Sequence, residues 1–307
     1  MIFLESICKR FEKNLNQIVD FSTTANKRYK TYKIKKRTSG TRTIEQPSQE
    51  LKLYQKFISE KIFLNLPVHE AVFSYKKNIS IKNLADKHKN NRYLLRIDFK
   101  DFFPSIKGDN IRLFLKNSNL KLSDLEITLI NLFVCKNNKL TIGASSSPSI
   151  TNAILFSFDD DVYKFCLEQN IIYSRYADDL YFSTNEEGIL SSILEYVKNY
   201  IFSYKIDLHI NYDKNIYTSK KHRRIITGLT ITTDGNISVG RKQKQYIKSL
   251  INSYKYKCLE DEQINYLKGY LNFLVYIEPT YIDNLKNKYG EVIINELFIN
   301  KFNNKCN

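Results

Sequence analysis

Three aspartates stand where the surrounding sequence gives them no ordinary reason to be. The run Arg92-Tyr93-Leu94-Leu95-Arg96-Ile97-Asp98-Phe99 is apolar and β-forming, and it delivers Asp98 at its end. The run Tyr173-Ser174-Arg175-Tyr176-Ala177-Asp178-Asp179-Leu180-Tyr181-Phe182 delivers two more carboxylates at the tip of a predicted hairpin. A charged group inside such a run is costly unless something pairs it, and adjacent aspartates also repel. A plain surface turn would have polar neighbours, and these neighbours are not polar. A divalent cation answers both problems, because Mg²⁺ takes carboxylates together with substrate phosphate oxygens and needs few protein ligands. Two such ions ~4 Å apart would activate an attacking hydroxyl and stabilise a leaving pyrophosphate.

The charge distribution points the same way. Lys and Arg total 48 and Asp and Glu 32, for a net charge of +16 over 307 residues. The excess is clustered. Residues 21–44 hold Lys27, Arg28, Lys30, Lys33, Lys35, Lys36, Arg37 and Arg42 with no acid, and 235–257 hold Arg241, Lys242, Lys244, Lys248, Lys255 and Lys257 with none. Lysine on a strand edge also guards against aggregation, but an acid-free cluster of this size favours a polyanion partner. Cys8, Cys135, Cys166, Cys258 and Cys306 are scattered, form no C-x-x-C and share no metal-ligand spacing with the histidines. A disulfide framework or zinc site is therefore not expected, and a reducing cytoplasm fits. No stretch approaches the ~20 apolar residues of a membrane span, and no membrane partner is expected.

The elements that must position these groups follow from periodicity. Helices are predicted over 1–20, 49–65, 108–117, 123–136, 148–168 and 187–204, with one more somewhere in 68–91 and a helical tail from 241. Residues 29–47 read as two strands around Ser39-Gly40, 92–99 as a strand, and 171–184 as a hairpin joined at Ala177-Asp178-Asp179. Short strands are predicted within 206–218, 223–232 and 236–239. Asp159-Asp160-Asp161 fall in the C-terminal half of the 148–168 helix. Consecutive residues spread around a helix and cannot converge on one ion, so at least two should be solvated or salt-bridged.

Tyr176-Ala177-Asp178-Asp179 resembles the Y-x-D-D box of reverse transcriptases, and Arg96-Ile97-Asp98-Phe99-Lys100-Asp101-Phe102-Phe103-Pro104-Ser105-Ile106 resembles the box carrying their first catalytic aspartate. Gly143-Ala144-Ser145-Ser146-Ser147-Pro148, followed by Asn152, resembles the G-x-x-x-S-P-x-x-x-N box between them. One box alone is weak evidence; three in family order are specific. Over nearly its whole length the chain is similar to bacterial retron reverse transcriptases, through Tyr29 to Pro47, through Ile226-Thr227-Gly228-Leu229 and through Leu84-Ala85-Asp86-Lys87-His88. Leu84 stands where the retron box has Asn, Ile142 where many relatives have Gln, and Ser145 where Pro is common.

The resemblance implies an α+β right-hand polymerase with fingers, an antiparallel-sheet palm backed by helices, and a helical C-terminal thumb. Its domains would be 1–92, an N-terminal helix with fingers; 93–234, the palm with inserted fingers helices; and 235–307, the thumb. It implies Asp98, Asp178 and Asp179 as the catalytic carboxylates, with the Phe99 carbonyl as a further ligand, for two Mg²⁺ ions, Mn²⁺ being able to substitute. Arg42, Phe103, Gly143 and Lys214 would meet the incoming nucleotide. Arg42 would grip its triphosphate and Phe103 would screen the sugar 2′-position, provided Phe103 rather than Phe102 faces outward. Gly143 would let the backbone approach the nucleotide, and Lys214 would act as general acid or as counter-charge. Lys35, Lys36, His88, Ser147, Pro148, Asn152, Thr227, Gly228, Arg241 and Lys242 would handle template or primer RNA. His88 is either structural or an RNA contact.

The activity so implied is RNA-templated DNA synthesis from deoxynucleoside triphosphates, copying a structured msr-msd-type noncoding RNA into branched RNA–DNA (msDNA). Host RNase H would remove template, because this length leaves no room for such a domain, and an effector protein encoded nearby would complete an anti-phage system. Other prokaryotic reverse transcriptases, of the diversity-generating or abortive-infection type, and a non-catalytic RNA-binding scaffold are the competing readings. The three carboxylates argue against the scaffold.

Overall fold

The computed structural model describes residues 2–35, 40–204 and 206–298. Two compact units divide the chain, one of Met1–Ile79 with Tyr93–Tyr217, the other of Ser80–Arg92 with Thr218–Asn307. Residues 80–92, expected to belong with the N-terminal segment, thus pack with the C-terminal part of the chain.

The first unit opens on α1 (Ile2–Phe11) and α2 (Leu15–Thr24). The expected single helix over 1–20 is broken, because Glu12 takes φ +52° and Asn14 and Gln17 form a reciprocal capping box that starts a new helix. The exposed hairpin β1 (Tyr29–Lys35) and β2 (Thr41–Pro47) follows in antiparallel register, Lys35 opposite Thr41. Then comes α3 (Gln49–Lys61), capped by Ser48. Phe21, Tyr54 and Phe133 stack between these N-terminal helices and a later one, Tyr54 lying 4.7 Å from Phe133 and 4.8 Å from Phe21. The helix α4 (Ile81–His88) belongs to the second unit.

The centre of the first unit is an antiparallel sheet. β3 (Tyr93–Lys100) is followed by α5 (Phe102–Ser105), α6 (Gly108–Asn117), α7 (Asp124–Val134), α8 (Ser147–Ile154) and α9 (Phe156–Glu168). After these run β4 (Ile172–Tyr176), β5 (Asp179–Thr184), α10 (Leu190–Ser203) and β6 (His209–Ile210), with β7 (Ile216–Ser219) beyond. The sheet order is β4-β5-β3-β6. Both faces of β3 are buried, which is why its sequence is a continuous apolar run rather than an alternating one. Ile97, Leu180, Phe182, Phe158, Val162, Ile193 and Val197 form the core between this sheet and α9 and α10, all of them buried. This is the antiparallel sheet backed by helices expected of a palm.

The expected 148–168 helix is two helices that part at Leu155. Pro148 does sit in the first turn, of α8. The break moves Asp159 into the first turn of α9, where the sequence reading had it in the C-terminal half of a longer helix.

The second unit packs α4 against β8 (Arg224–Ile226), β9 (Leu229–Ile231) and β10 (Ile237–Ser238). The helices α11 (Arg241–Lys255), α12 (Asp261–Ile277), α13 (Pro279–Tyr289) and α14 (Glu291–Phe298) make up its remainder. Leu84 and His88 are buried here, and the buried Arg224 donates to the carbonyls of Asn91 and Thr232. Among the described residues, no helix is long and apolar enough to cross a membrane.

Candidate active site

The register of the sheet brings the carboxylates together. Asp98 lies opposite Asp179, and Tyr176 also pairs with Asp179, so Ala177 and Asp178 alone make the turn between β4 and β5. The Phe99 amide donates to the Asp178 carbonyl at 2.9 Å, tying the turn to β3. Asp98 is almost fully buried and accepts from Lys214 Nζ at 2.8 Å and from Asn211 Nδ2 at 2.9 Å. Lys214 stands in a short 3₁₀ turn (Tyr212–Lys214), not in the strand predicted for it.

The other two carboxylates differ from one another. Burial pushes the Asp178 carboxyl up, Asp98 nearby adds to this, and Lys214 and Arg42 oppose it. Asp179 is pushed up to about 6, by burial first, against the pull of Arg96. Its carboxylate is turned onto Arg96, 2.8 Å away, and accepts from the Tyr181 hydroxyl at 3.2 Å. Asp98 and Asp178 therefore share one cleft, while Asp179 supports from the strand behind it.

That cleft has a volume of about 530 Å³. Arg42 enters it from β2, and Lys100, Lys139 and Lys214 bring positive charge to a wall that also holds Glu45 and Asp101, so the cations balance the acids rather than exceed them. Phe102 and Phe103 divide their tasks. Both line the cleft, but Phe102 is buried and stacks on Phe99 with centroids 6.0 Å apart, whereas Phe103 is half-buried at the edge of the core. Tyr75 was not anticipated from the sequence. It takes φ +59°, faces the cleft beside Asp178, and its hydroxyl is pushed up to about 12 by burial first and by Asp178 after it. Asn211, Lys100 and Lys139 were missed as well, and only the strand pairing brings Asn211 to Asp98.

Several expected contacts lie elsewhere. Gly143 does not line the cleft; Ile142 does. Gly143 holds φ +124°, and a Cβ there would stand 2.8 Å from the Glu45 carbonyl oxygen, so the glycine permits a close approach of backbone to β2. Ser147 is buried, its hydroxyl donating to the Thr141 carbonyl at 2.9 Å. Pro148 is half-buried at the start of α8. Asn152 is buried and donates to the Ser74 carbonyl at 3.0 Å. His88 is buried inside the second unit, with burial holding its ring down to about 3, so it is neutral and offers RNA no surface. Burial thus gives Ser147, Asn152 and His88 structural surroundings in place of the expected RNA surface.

Thr227 and Gly228 form the tight turn between β8 and β9, with φ +46° and +87°, which explains the glycine. Arg241 and Lys242 are exposed on the first turn of α11. Lys35 is exposed on β1, and Lys36 lies outside the described residues.

An oxygen-only donor set of two carboxylates facing a cleft suits a hard divalent cation. Among the described residues, no three His, Cys, Asp or Glu side chains gather closely enough to hold a metal by themselves. The pairing of Asp179 with Arg96 accounts for the third carboxylate staying apart.

Comparison with known proteins places this geometry. The family model for reverse transcriptase (RNA-dependent DNA polymerase) matches residues 34–267. The retron Ec83 reverse transcriptase of Escherichia coli is 37% identical over 278 residues, spanning 88% of this chain and 89% of that protein. The retron Ec73 reverse transcriptase of Escherichia coli is 31% identical over 277 residues, spanning 86% and 88%. In fold, the chain is similar to the apo telomerase of Candida tropicalis, with a TM-score of 0.50 at 12% identity over 88% of this chain and 61% of that one. The carboxylate-bearing hairpin, the cleft beside it and a match along most of the chain lead to one conclusion: the chain belongs to the reverse transcriptase family, among the bacterial retron enzymes, and is an RNA-directed DNA polymerase.

Proposed function

We propose that this retron reverse transcriptase copies a structured msr-msd-type RNA into branched RNA–DNA (msDNA) by two-metal nucleotidyl transfer, as part of an anti-phage defence system with a neighbouring effector protein. The observation that carries the chemistry is the meeting of Asp98 and Asp178 in a cleft walled by Arg42 and Lys214. Two Mg²⁺ ions bound there, with Mn²⁺ able to substitute, would activate the primer hydroxyl and neutralise the leaving pyrophosphate. Asp98, Asp178 and the Phe99 carbonyl would hold them, and Asp179 holds Arg96 against the strand. Arg42 offers a planar fork to the triphosphate of the deoxynucleotide. Lys214, already 2.8 Å from Asp98, supplies positive charge on the leaving-group side. The exposed basic hairpin bearing Lys35, with Arg241 and Lys242 on α11, gives the RNA backbone its counter-charges. Template removal falls to host RNase H.

The branch is the decisive feature. Purified protein, given deoxynucleotides, Mg²⁺ and the RNA transcribed from the DNA immediately upstream of its own gene, where the retron reading places a short inverted-repeat RNA gene, should yield DNA joined to RNA through an internal guanosine 2′-hydroxyl. A debranching enzyme should release it as linear DNA. A product that is linear from the outset, made only from added primers, would leave a reverse transcriptase without retron priming.

Sugar selection gives a second expectation. Both rings line the cleft, but Phe102 is buried against Phe99 while Phe103 is the more exposed, so the screening role is assigned to Phe103. A ribose 2′-hydroxyl overlapping that ring would cost ~1–3 kcal/mol, or roughly ten- to a hundredfold at 1.36 kcal/mol per decade. Phe103→Val should therefore admit ribonucleotides while keeping much of its deoxynucleotide incorporation. The check is the ratio of kcat/KM for matched ribo- and deoxynucleoside triphosphates on one primed RNA. An unchanged ratio removes Phe103 from the gate.

A further inference from the structure

Asp178 leaves the hairpin through Ala177, which holds φ +56°. A non-glycine residue resists that conformation and keeps it only when its surroundings impose it. Here both polar groups of the residue are held by buried side chains. The Ala177 amide donates to Ser74 Oγ at 2.8 Å, and its carbonyl accepts from Arg175 Nη1 at 3.2 Å. Ser74 and Arg175 are both fully buried.

Arg175 is itself fixed. Its Nε and Nη2 donate to the two carboxylate oxygens of Asp159 at 2.8 and 2.7 Å, and the Tyr173 hydroxyl donates to Asp159 at 2.8 Å. Ser74 is fixed from the other side, its carbonyl accepting from Asn152 at 3.0 Å. The loop that carries Ser74 is laced to β4, since the Arg175 amide donates to Ala71 and the Phe73 amide to the Arg175 carbonyl, each at 2.8 Å. Three otherwise separate pieces, α8, α9 and the loop after Ala71, thus converge on a single residue of the turn.

We propose that Arg175, anchored by Asp159, and Ser74 are positioning residues that hold the Ala177 turn so that the Asp178 carboxylate stands with that of Asp98. The proposal rests on the reading of Asp98 and Asp178 as the cation-binding pair. A counter-ion for buried Asp159 needs only positive charge. Reaching the Ala177 carbonyl while gripping a carboxylate with two nitrogens needs the rigid guanidinium fork, which lysine lacks.

Arg175→Lys therefore separates the two roles, and Ser74→Ala removes the opposite hydrogen bond with little change in volume. The full chain is purified as wild type, Arg175→Lys, Ser74→Ala and Asp178→Asn. For each, Tm, RNA affinity, kcat and KM for deoxynucleotide, and Mn²⁺ binding by electron paramagnetic resonance are measured. Arg175→Lys and Ser74→Ala should lower kcat by roughly ten- to a hundredfold and weaken Mn²⁺ binding by about tenfold or more, with RNA affinity and KM within about twofold. A folded Arg175→Lys with wild-type kcat and Mn²⁺ binding would make Arg175 a buried counter-ion only and overturn the proposal. Should Arg175→Lys not fold, Ser74→Ala decides by the same criteria. An inactive Asp178→Asn beside two normal positioning variants overturns this proposal alone. An active Asp178→Asn that still binds Mn²⁺ overturns the cation-pair reading and this proposal with it.

Discussion

Asp178→Asn and Asp98→Asn should each abolish DNA synthesis while leaving a folded, RNA-binding protein. Each substitution keeps the side chain's shape and removes one negative oxygen from the proposed cation-binding pair. Metal-ion stabilisation of a transferring phosphoryl group is worth several kcal/mol, so the loss in kcat should be roughly a thousandfold or more. Stability separates the two variants. Asp178 has its carboxyl raised above the ordinary value of 3.8, chiefly by burial. A raised carboxyl binds its proton more tightly in the folded state. The protonated form therefore favours folding below the unfolded value, and that advantage is lost as pH rises through the folded one. At neutral pH the ionised group opposes folding, so Asp178→Asn should melt at the wild-type temperature or above it. Asp98→Asn loses its ion pair with Lys214 and a longer one, 3.9 Å, with Arg96, but the Lys214 ammonium is 46% exposed and can return to water and Arg96 keeps Asp179, so the cost should stay within about 1 kcal/mol. Extension on primed RNA, with thermal unfolding of the same preparations, checks both halves. Wild-type synthesis by Asp178→Asn would refute the cation assignment.

The carboxylate-bearing strands were legible because their chemistry is local. A carboxylate in an apolar strand announces itself, and the hairpin tip predicted at Ala177-Asp178-Asp179 is one residue longer than the turn found, because Asp179 belongs to β5 and pairs with Asp98. The basic hairpin was legible for the same reason. What escaped the sequence depends on partners far along the chain. Arg96 meets Asp179 only because β3 and β5 pair with Asp98 opposite Asp179, and a register is not written in either strand alone. The glycine at 143 was read as room for a nucleotide, and the close approach the structure shows there is to the carbonyl of Glu45, nearly a hundred residues earlier. His88 shows how a polar residue in a basic stretch reads as a contact until the helix face is known. Its face in α4 turns inward, and burial keeps it neutral. The Asp159 triplet shows the same limit. Helical geometry excludes convergence on one ion, but which of the three faces the core depended on the break at Leu155, and no cap or proline marks that break in the sequence.

That triplet should divide sharply in stability. Asp160 is partly exposed and pairs with Lys164, so Asp160→Ala should cost less than about 1 kcal/mol. Asp159 and Arg175 are both fully buried and bound to each other through two oxygens. Asp159→Ala leaves the guanidinium charged and unpaired in the interior, and removal of one partner of a buried pair costs ~3–5 kcal/mol. Against a total of about 5–15 kcal/mol for a folded domain, that is enough to bring a marginal protein near its unfolding midpoint at working temperature. Urea denaturation of the two alanine variants under one buffer gives the comparison, and equal midpoints would show that the buried pair carries no special weight. The double variant Asp159→Leu/Arg175→Met tests the cause. Replacing both charges with apolar groups removes the stranded guanidinium, so the double variant should be more stable than Asp159→Ala. Recovery should stop short of wild type, because the buried Tyr173 hydroxyl loses its acceptor, at about 1–3 kcal/mol. DNA synthesis should not recover with stability, since nothing in the double variant reaches the Ala177 carbonyl. A double variant that regained both would mean the pair serves the fold alone; one that regains only stability ties the buried charges to the placement of Asp178.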